Sequence, residues 1–111
     1  MLAAREIVWP LTLPMCSPIG DGAAAVVVVG ERKARALGLS RRVRVLSSAL
    51  VSGFHASADD RSVGTAAVDE AYEAAGLGPQ DLGLAEVHDA SAMSEIVAYE
   101  YLGLCDKGGG G

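Results

Sequence analysis

Hydrophobic and polar positions change period several times along the chain. Residues 23–29 (Ala-Ala-Ala-Val-Val-Val-Val) form a continuous apolar and β-branched run. Such a run predicts a strand covered on both faces, as in a sheet between helix layers, because an exposed hairpin would alternate. Residues 31–37 (Glu-Arg-Lys-Ala-Arg-Ala-Leu) are helix formers throughout, and Gly38 follows where a left-handed cap is usual, so a short surface helix is predicted. From 42 to 52 the pattern alternates through Val43, Val45 and Ser47, then turns apolar at 49–51, which fits a second strand ending before Gly53. Residues 84–87 make a third, short buried strand with His88 at its exit.

Two longer helices complete the pattern. Ser62 caps one that ends at Gly76, with Ala67, Ala71, Ala74 and Ala75 on one face, Val63 and Val68 nearby, and Asp69, Glu70 and Glu73 pointing outward. Pro79 opens a single helical turn in the Gly78-Pro79-Gln80-Asp81 segment. Ser91 caps the other over 92–102, with an apolar period through Met93, Ile96, Val97 and Leu104, and Gly103 ends it. Residues 54–61, with His55, Ser57, Asp59 and Asp60, read as a loop, and 9–22, holding three of the four prolines, as an extended, turning segment. The four glycines after Lys107 look like an interrupted loop with no side chains to bury. Alternating strands and helices predict an α/β layered fold, although three short strands are few for a stable sheet.

Composition narrows the function. With 111 residues, 50% of them apolar, the chain suits one domain and excludes two. A net charge of −5 argues against nucleic acid, which demands a surplus of Lys and Arg, and the cluster Arg41, Arg42 and Arg44 is too small to supply one. Two cysteines, Cys16 and Cys105, do not make a secreted disulfide framework, so a reducing cytoplasmic setting is expected. The first residues mix acid and base and lack the apolar stretch of a signal peptide, and the run at 23–29 is far short of the roughly 20 residues of a membrane span.

Three constellations invite a chemical reading. Gly20-Asp21-Gly22 has the glycine spacing of a dinucleotide fingerprint, but prolines precede it and a β-branched run follows where a helix is required. His88, Asp89 and Ser91 hold the residue types of a hydrolase triad, yet sequence neighbours rarely face one another as a triad requires. No HExxH or paired CxxC occurs, so no metal site is expected. His88 is the most informative polar residue, since open α/β folds place ligands at the exits of their strands. A histidine simply hydrogen-bonded in a loop remains the other reading.

Taken together, Cys16-Ser-Pro-Ile-Gly-Asp-Gly-Ala-Ala-Ala-Val-Val-Val-Val29, then Ala85-Glu-Val-His-Asp-Ala90 and Leu102-Gly-Leu-Cys105, resemble the thiolase family, specifically its sterol-carrier or lipid-transfer-protein branch. The likeness spans nearly the whole chain. It implies a partial thiolase-like layered fold, with residues 1–40 as the end of the N-terminal half and 41–111 as the start of the C-terminal half. It also implies a fragment of an acyl-CoA acyltransferase that makes or breaks carbon–carbon bonds in lipid metabolism. A coenzyme A thioester would be its substrate, with no covalently bound cofactor, and the full-length parent would be a homo-oligomer. His88 matches the histidine of a His-Asp-Cys-Phe motif and would help to build an oxyanion hole; Ser17 matches a serine that contacts the pantetheine arm. Ala90 and Ser91 replace that motif's Cys-Phe, removing a thiol and an aromatic wall beside the acyl or pantetheine channel. Neither cysteine matches the family's nucleophile, so the chain alone should be inactive. An acyl-CoA-binding or assembly module without catalysis, and a retro-aldolase of steroid side chains, are the alternatives. Truncation would leave apolar faces uncovered and favour oligomers or marginal stability.

Overall fold

The computed structural model describes residues 4–52 and 62–111. The loop predicted around His55 lies outside them. A hairpin opens the described chain: β1 (Glu6–Val8) pairs antiparallel with β2 (Leu11–Thr12), with Glu6 opposite Thr12 and Val8 opposite Leu11. Trp9 and Pro10, joined by a cis peptide bond, make its turn. The Leu13 amide then donates to the Arg5 carbonyl (2.8 Å), and a 3-10 turn over Leu13–Met15 leads into an extended Cys16. The extended, turning segment expected over 9–22 thus supplies the hairpin turn and its second strand, while β1 at Glu6–Val8 is an element that the sequence pattern does not predict.

The helices follow their capping chemistry closely. α1 (Glu31–Ala36) is a surface helix followed by Gly38 at φ 63°, and an ion pair joins Arg35 to Glu31 one turn earlier. α2 (Val63–Ala75) begins at Ser62, whose side chain accepts from the Thr65 amide (3.0 Å), satisfying an N–H that the first turn would otherwise leave free. It ends at Gly76, whose φ of 66° lets Leu77 donate back to the Tyr72 carbonyl (3.2 Å). A 3-10 turn over Pro79–Asp81 is held by the Asp81 carboxylate, which accepts from the Gly78 amide (2.9 Å). α3 (Ala92–Tyr101) starts at Ser91, which accepts from the Ser94 amide, and Gly103 follows at φ 73°.

Packing differs from the expected layers. Residues 23–29, 43–52 and 84–87 form no strand, and the sheet of the described residues is the two-stranded hairpin. A β-branched run acquires a ladder only from a neighbouring strand, and among the described residues none lies beside these three. Val26, Val27 and Val28 are therefore more than four-fifths exposed. The packed centre lies instead between α2 and α3, where Ala98 is fully buried, the Tyr72 hydroxyl donates to the Leu102 carbonyl (2.9 Å), and the Tyr101 ring lies over Gly64. Burial also raises the Tyr72 pKa above its ordinary value.

The expected helix faces are only partly buried. Ala67, Ala71 and Ala75 are half-buried, but Ala74 faces out, as do Asp69, Glu70 and Glu73. On α3, Met93 and Val97 are exposed, and so is Leu104 beyond it, because α2 meets the Ala98 side of the helix. The glycine tail has a packing role instead of trailing free. The Gly108 amide donates to the Glu100 carboxylate (3.0 Å), and a Cβ at Gly110 would lie 2.7 Å from the Ile96 carbonyl oxygen. The radius of gyration, 18.3 Å, exceeds the roughly 13 Å of a globular chain this long, in keeping with the uncovered runs.

Replacing Tyr72 with Phe deletes the α2–α3 hydrogen bond and strands a half-buried carbonyl, which costs about 1 kcal/mol. Amide exchange across α2 and α3 should speed up roughly fivefold. Unchanged exchange would show that apolar contact alone joins the two helices.

Candidate functional site

The site is built where two distant segments meet. Beyond the 3-10 turn the chain is extended at Cys16, which forms an antiparallel bridge with Ser91. The Ser17 amide donates to the Ala90 carbonyl (3.0 Å), and the Ser17 hydroxyl donates to the Asp89 carbonyl (3.2 Å), 72 residues away in sequence. Ser17 thereby ties the proline-rich segment to the turn that carries His88, Asp89 and Ala90.

Beside this junction is an open hollow of about 380 Å³ lined by Pro14, Met15, Cys16, Ser17, Pro18, Asp89, Ala92 and Glu95. Its walls are about equally polar and apolar, and the ionisable carboxyl groups are those of Asp89 and Glu95. Glu95 accepts a hydrogen bond from the Tyr99 hydroxyl one helical turn on. That bond, followed by burial and by the charges of Glu95 and Asp89, raises the Tyr99 pKa above its usual value near 10. With the Ser17 proton committed to the Asp89 carbonyl, its oxygen is left to accept from a ligand N–H. Two carboxyl groups on the walls disfavour phosphates and suit a neutral, amide-bearing or apolar chain.

His88 and Ser17 thus lie on neighbouring segments, but they do not share the hollow. His88 is exposed and adjoins Asp89 without itself lining the wall. The Ser91 hydroxyl sits at the helix cap with the Ser94 amide and hydroxyl (3.3 and 3.0 Å), which explains why no His-Asp-Ser triad forms. Both cysteines are free and half-buried, with Cys16 on the wall of the hollow. Gly20 and Gly22 precede an irregular stretch, and α1 begins only at Glu31, so the helix N-terminus that a dinucleotide site needs is missing there. Among the described residues no three His, Cys, Asp or Glu side chains cluster as metal ligands, and no helix is long and apolar enough to cross a membrane.

Sequence reading missed Glu95, Met15 and Ala92 as lining residues. The available signal was the i,i+4 spacing of Glu95 and Tyr99 in the first turns of a helix whose cap had been located.

Comparison with known proteins places this geometry in a family. The profile described as Thiolase C-terminal domain-like matches residues 40–111, and the chain belongs to that thiolase family. It is 42% identical over 113 residues to benzoylsuccinyl-CoA thiolase subunit BbsB of Thauera aromatica, covering 96% of this chain and 29% of that protein. Sterol carrier protein 2 of Oryctolagus cuniculus is 34% identical over 120 residues, covering 100% of this chain and 22% of that protein. An acetyl-CoA acetyltransferase of Methanothermobacter thermautotrophicus is 41% identical over 107 residues, with 92% and 28% covered. The chain therefore spans less than a third of the length of each. The thiolase likeness read from the motifs around Ser17 and His88 holds, as does its sterol-carrier-protein side.

Two measurements check the site. Ser17→Ala removes the hydroxyl bond to Asp89 but leaves the backbone bridge, so the 88–90 amide resonances should shift while those of α2 stay in place. Loss of α2 resonances would instead make Ser17 a global support. Because the Tyr99 pKa is raised on folding, the stabilisation from its bond to Glu95 is fully present below pH 10 and is lost as pH rises through the folded pKa. Ultraviolet titration should show two of the three tyrosines ionising late, Tyr72 and Tyr99, and Tyr99→Phe should remove one of the two.

Proposed function

We propose that this chain supplies part of the acyl-CoA site of a thiolase-like enzyme that makes or breaks a carbon–carbon bond. The observation that carries the reading is the junction at Ser17, which brings the two motif segments of the family resemblance side by side. Family membership and thioester-named relatives support it. Residues 1–40 would close the N-terminal half and 41–111 open the C-terminal half, a division close to the start of the matched profile at residue 40.

Each residue then has a chemical task. The hollow takes the neutral pantetheine and acyl portion of the thioester, with Met15, Pro14 and Ala92 giving apolar contact. The Ser17 oxygen accepts from a pantetheine amide N–H. Exposed beside this junction, His88 turns a ring N–H toward the thioester carbonyl oxygen. Attack on that carbonyl, or loss of the α-proton, puts negative charge on this oxygen, and a donor there is worth about 3–4 kcal/mol in the transition state. The nucleophile comes from polypeptide outside these 111 residues, so thiolysis or condensation needs the longer enzyme.

In a whole thiolase carrying this segment, His88→Ala should lower kcat roughly 10²–10³-fold and leave KM nearly unchanged, since the bond strengthens only as charge develops. An unaltered kcat removes the oxyanion role. A raised KM alone marks a binding residue, and turnover by the isolated chain would contradict the assignment of the nucleophile elsewhere.

A further inference from the structure

The hollow beside the Ser17 junction is short of hydrogen-bond donors. Pro14 and Pro18 on its wall have no amide proton. The amides of Cys16, Ser17 and Glu95 are already bound, to the carbonyls of Leu13 (3.2 Å), Ala90 (3.0 Å) and Ser91 (3.3 Å). The Ser17 hydroxyl proton goes to the Asp89 carbonyl, and the Cys16 thiol is only a weak donor. What the side chains leave available are acceptors: the Ser17 oxygen and the carboxylates of Asp89 and Glu95. A ligand that seats here must therefore bring N–H or O–H groups of its own.

Of the two carboxylates, Glu95 is the one held in place. It is half-buried on α3, and the Tyr99 hydroxyl one turn on donates to its Oε1. That bond fixes the side chain and leaves Oε2 without a partner among the described residues. An acceptor already immobilised loses little further freedom on taking up a donor, and a charged acceptor makes the stronger bond. The Asp89 carboxylate has no comparable support. The walls themselves come from residues 14–18 and 89–95, which the Cys16–Ser91 bridge and the two Ser17 bonds tie to one another. The hollow is thus a product of contacts within this chain, unlike the bare runs at 23–29 and 43–52.

We propose that Glu95 is a binding residue for the pantetheine arm, its free oxygen accepting the amide N–H farther from sulfur while the Ser17 oxygen accepts the nearer one, and that Tyr99 is the positioning residue that holds Glu95 ready. The order along the arm follows from the chain: Ser17 is bonded to the residue after His88, whereas Glu95 lies beyond the first turn of α3. This inference rests on the acyl-CoA reading and deepens it by naming the group that grips the second amide.

Competitive inhibition of the whole enzyme carrying this segment tests it, with two thioethers that cannot acylate a nucleophile. S-methyl-pantetheine has both amides, and S-methyl-N-acetylcysteamine has only the one nearer sulfur. Glu95→Ala should raise the inhibition constant of the longer probe roughly tenfold and leave that of the shorter within about twofold. Glu95→Gln keeps an acceptor oxygen and should recover most of the lost affinity. Tyr99→Phe should weaken the longer probe alone, by about threefold, because the carboxylate must then be ordered on binding. An equal loss for both probes would make Glu95 a support of the hollow, and no loss for either would leave the far amide in solvent. Either result overturns the proposal while the acyl-CoA reading stands; that reading falls, and the proposal with it, if neither thioether inhibits the unsubstituted enzyme.

Discussion

Two segments, at residues 16–17 and 88–91, have to meet if this chain is to form a site at all. The Cys16–Ser91 bridge, the Ser17 amide on the Ala90 carbonyl and the Ser17 hydroxyl on the Asp89 carbonyl accomplish this. Closing a loop of more than 70 residues costs entropy that grows only slowly with its length, so a few well-aligned bonds backed by a packed helix pair can hold it. The partner segment is fixed in turn by the Ser91 cap of α3, and α3 is fixed by the Tyr72 bond and the buried Ala98. The hollow inherits its position from this sequence of contacts.

The division of charge gives the molecule two unlike ends. The helical half is acidic, and the wall it contributes to the hollow, through Asp89 and Glu95, is acidic as well. A ligand held there meets an acidic wall, which suits a neutral or apolar portion better than a phosphate. Basic charge is concentrated around α1, away from any described pairing with the helical half, and lies between the two most exposed apolar runs. Both features follow from which residues have neighbours.

Legibility in the sequence followed the range of the interaction. The starts and ends of α1, α2 and α3 were readable because they depend on residues within a turn, such as Ser62, Ser91 and Gly76. The runs at 23–29, 42–52 and 84–87 were read as strands, but a strand needs a neighbour as well as suitable side chains, and these have none among the described residues. The hairpin at 6–12 escaped notice because its strands are too short to show a period. Of the candidate site, Ser17 and His88 were visible through their motifs. Glu95 became relevant only once α3 placed it beside Met15 and Pro14.

The sequence by itself determined the caps, the charge division and membership of a thiolase family, since each is written in residues close together or in motifs matched position by position. Only the tertiary structure decided that Ser17 reaches the turn after His88 and that Gly110 lies against Ile96. Those outcomes depend on pairings between distant segments, whose free energy comes from desolvation and geometry at the junction and leaves no periodic trace along the chain.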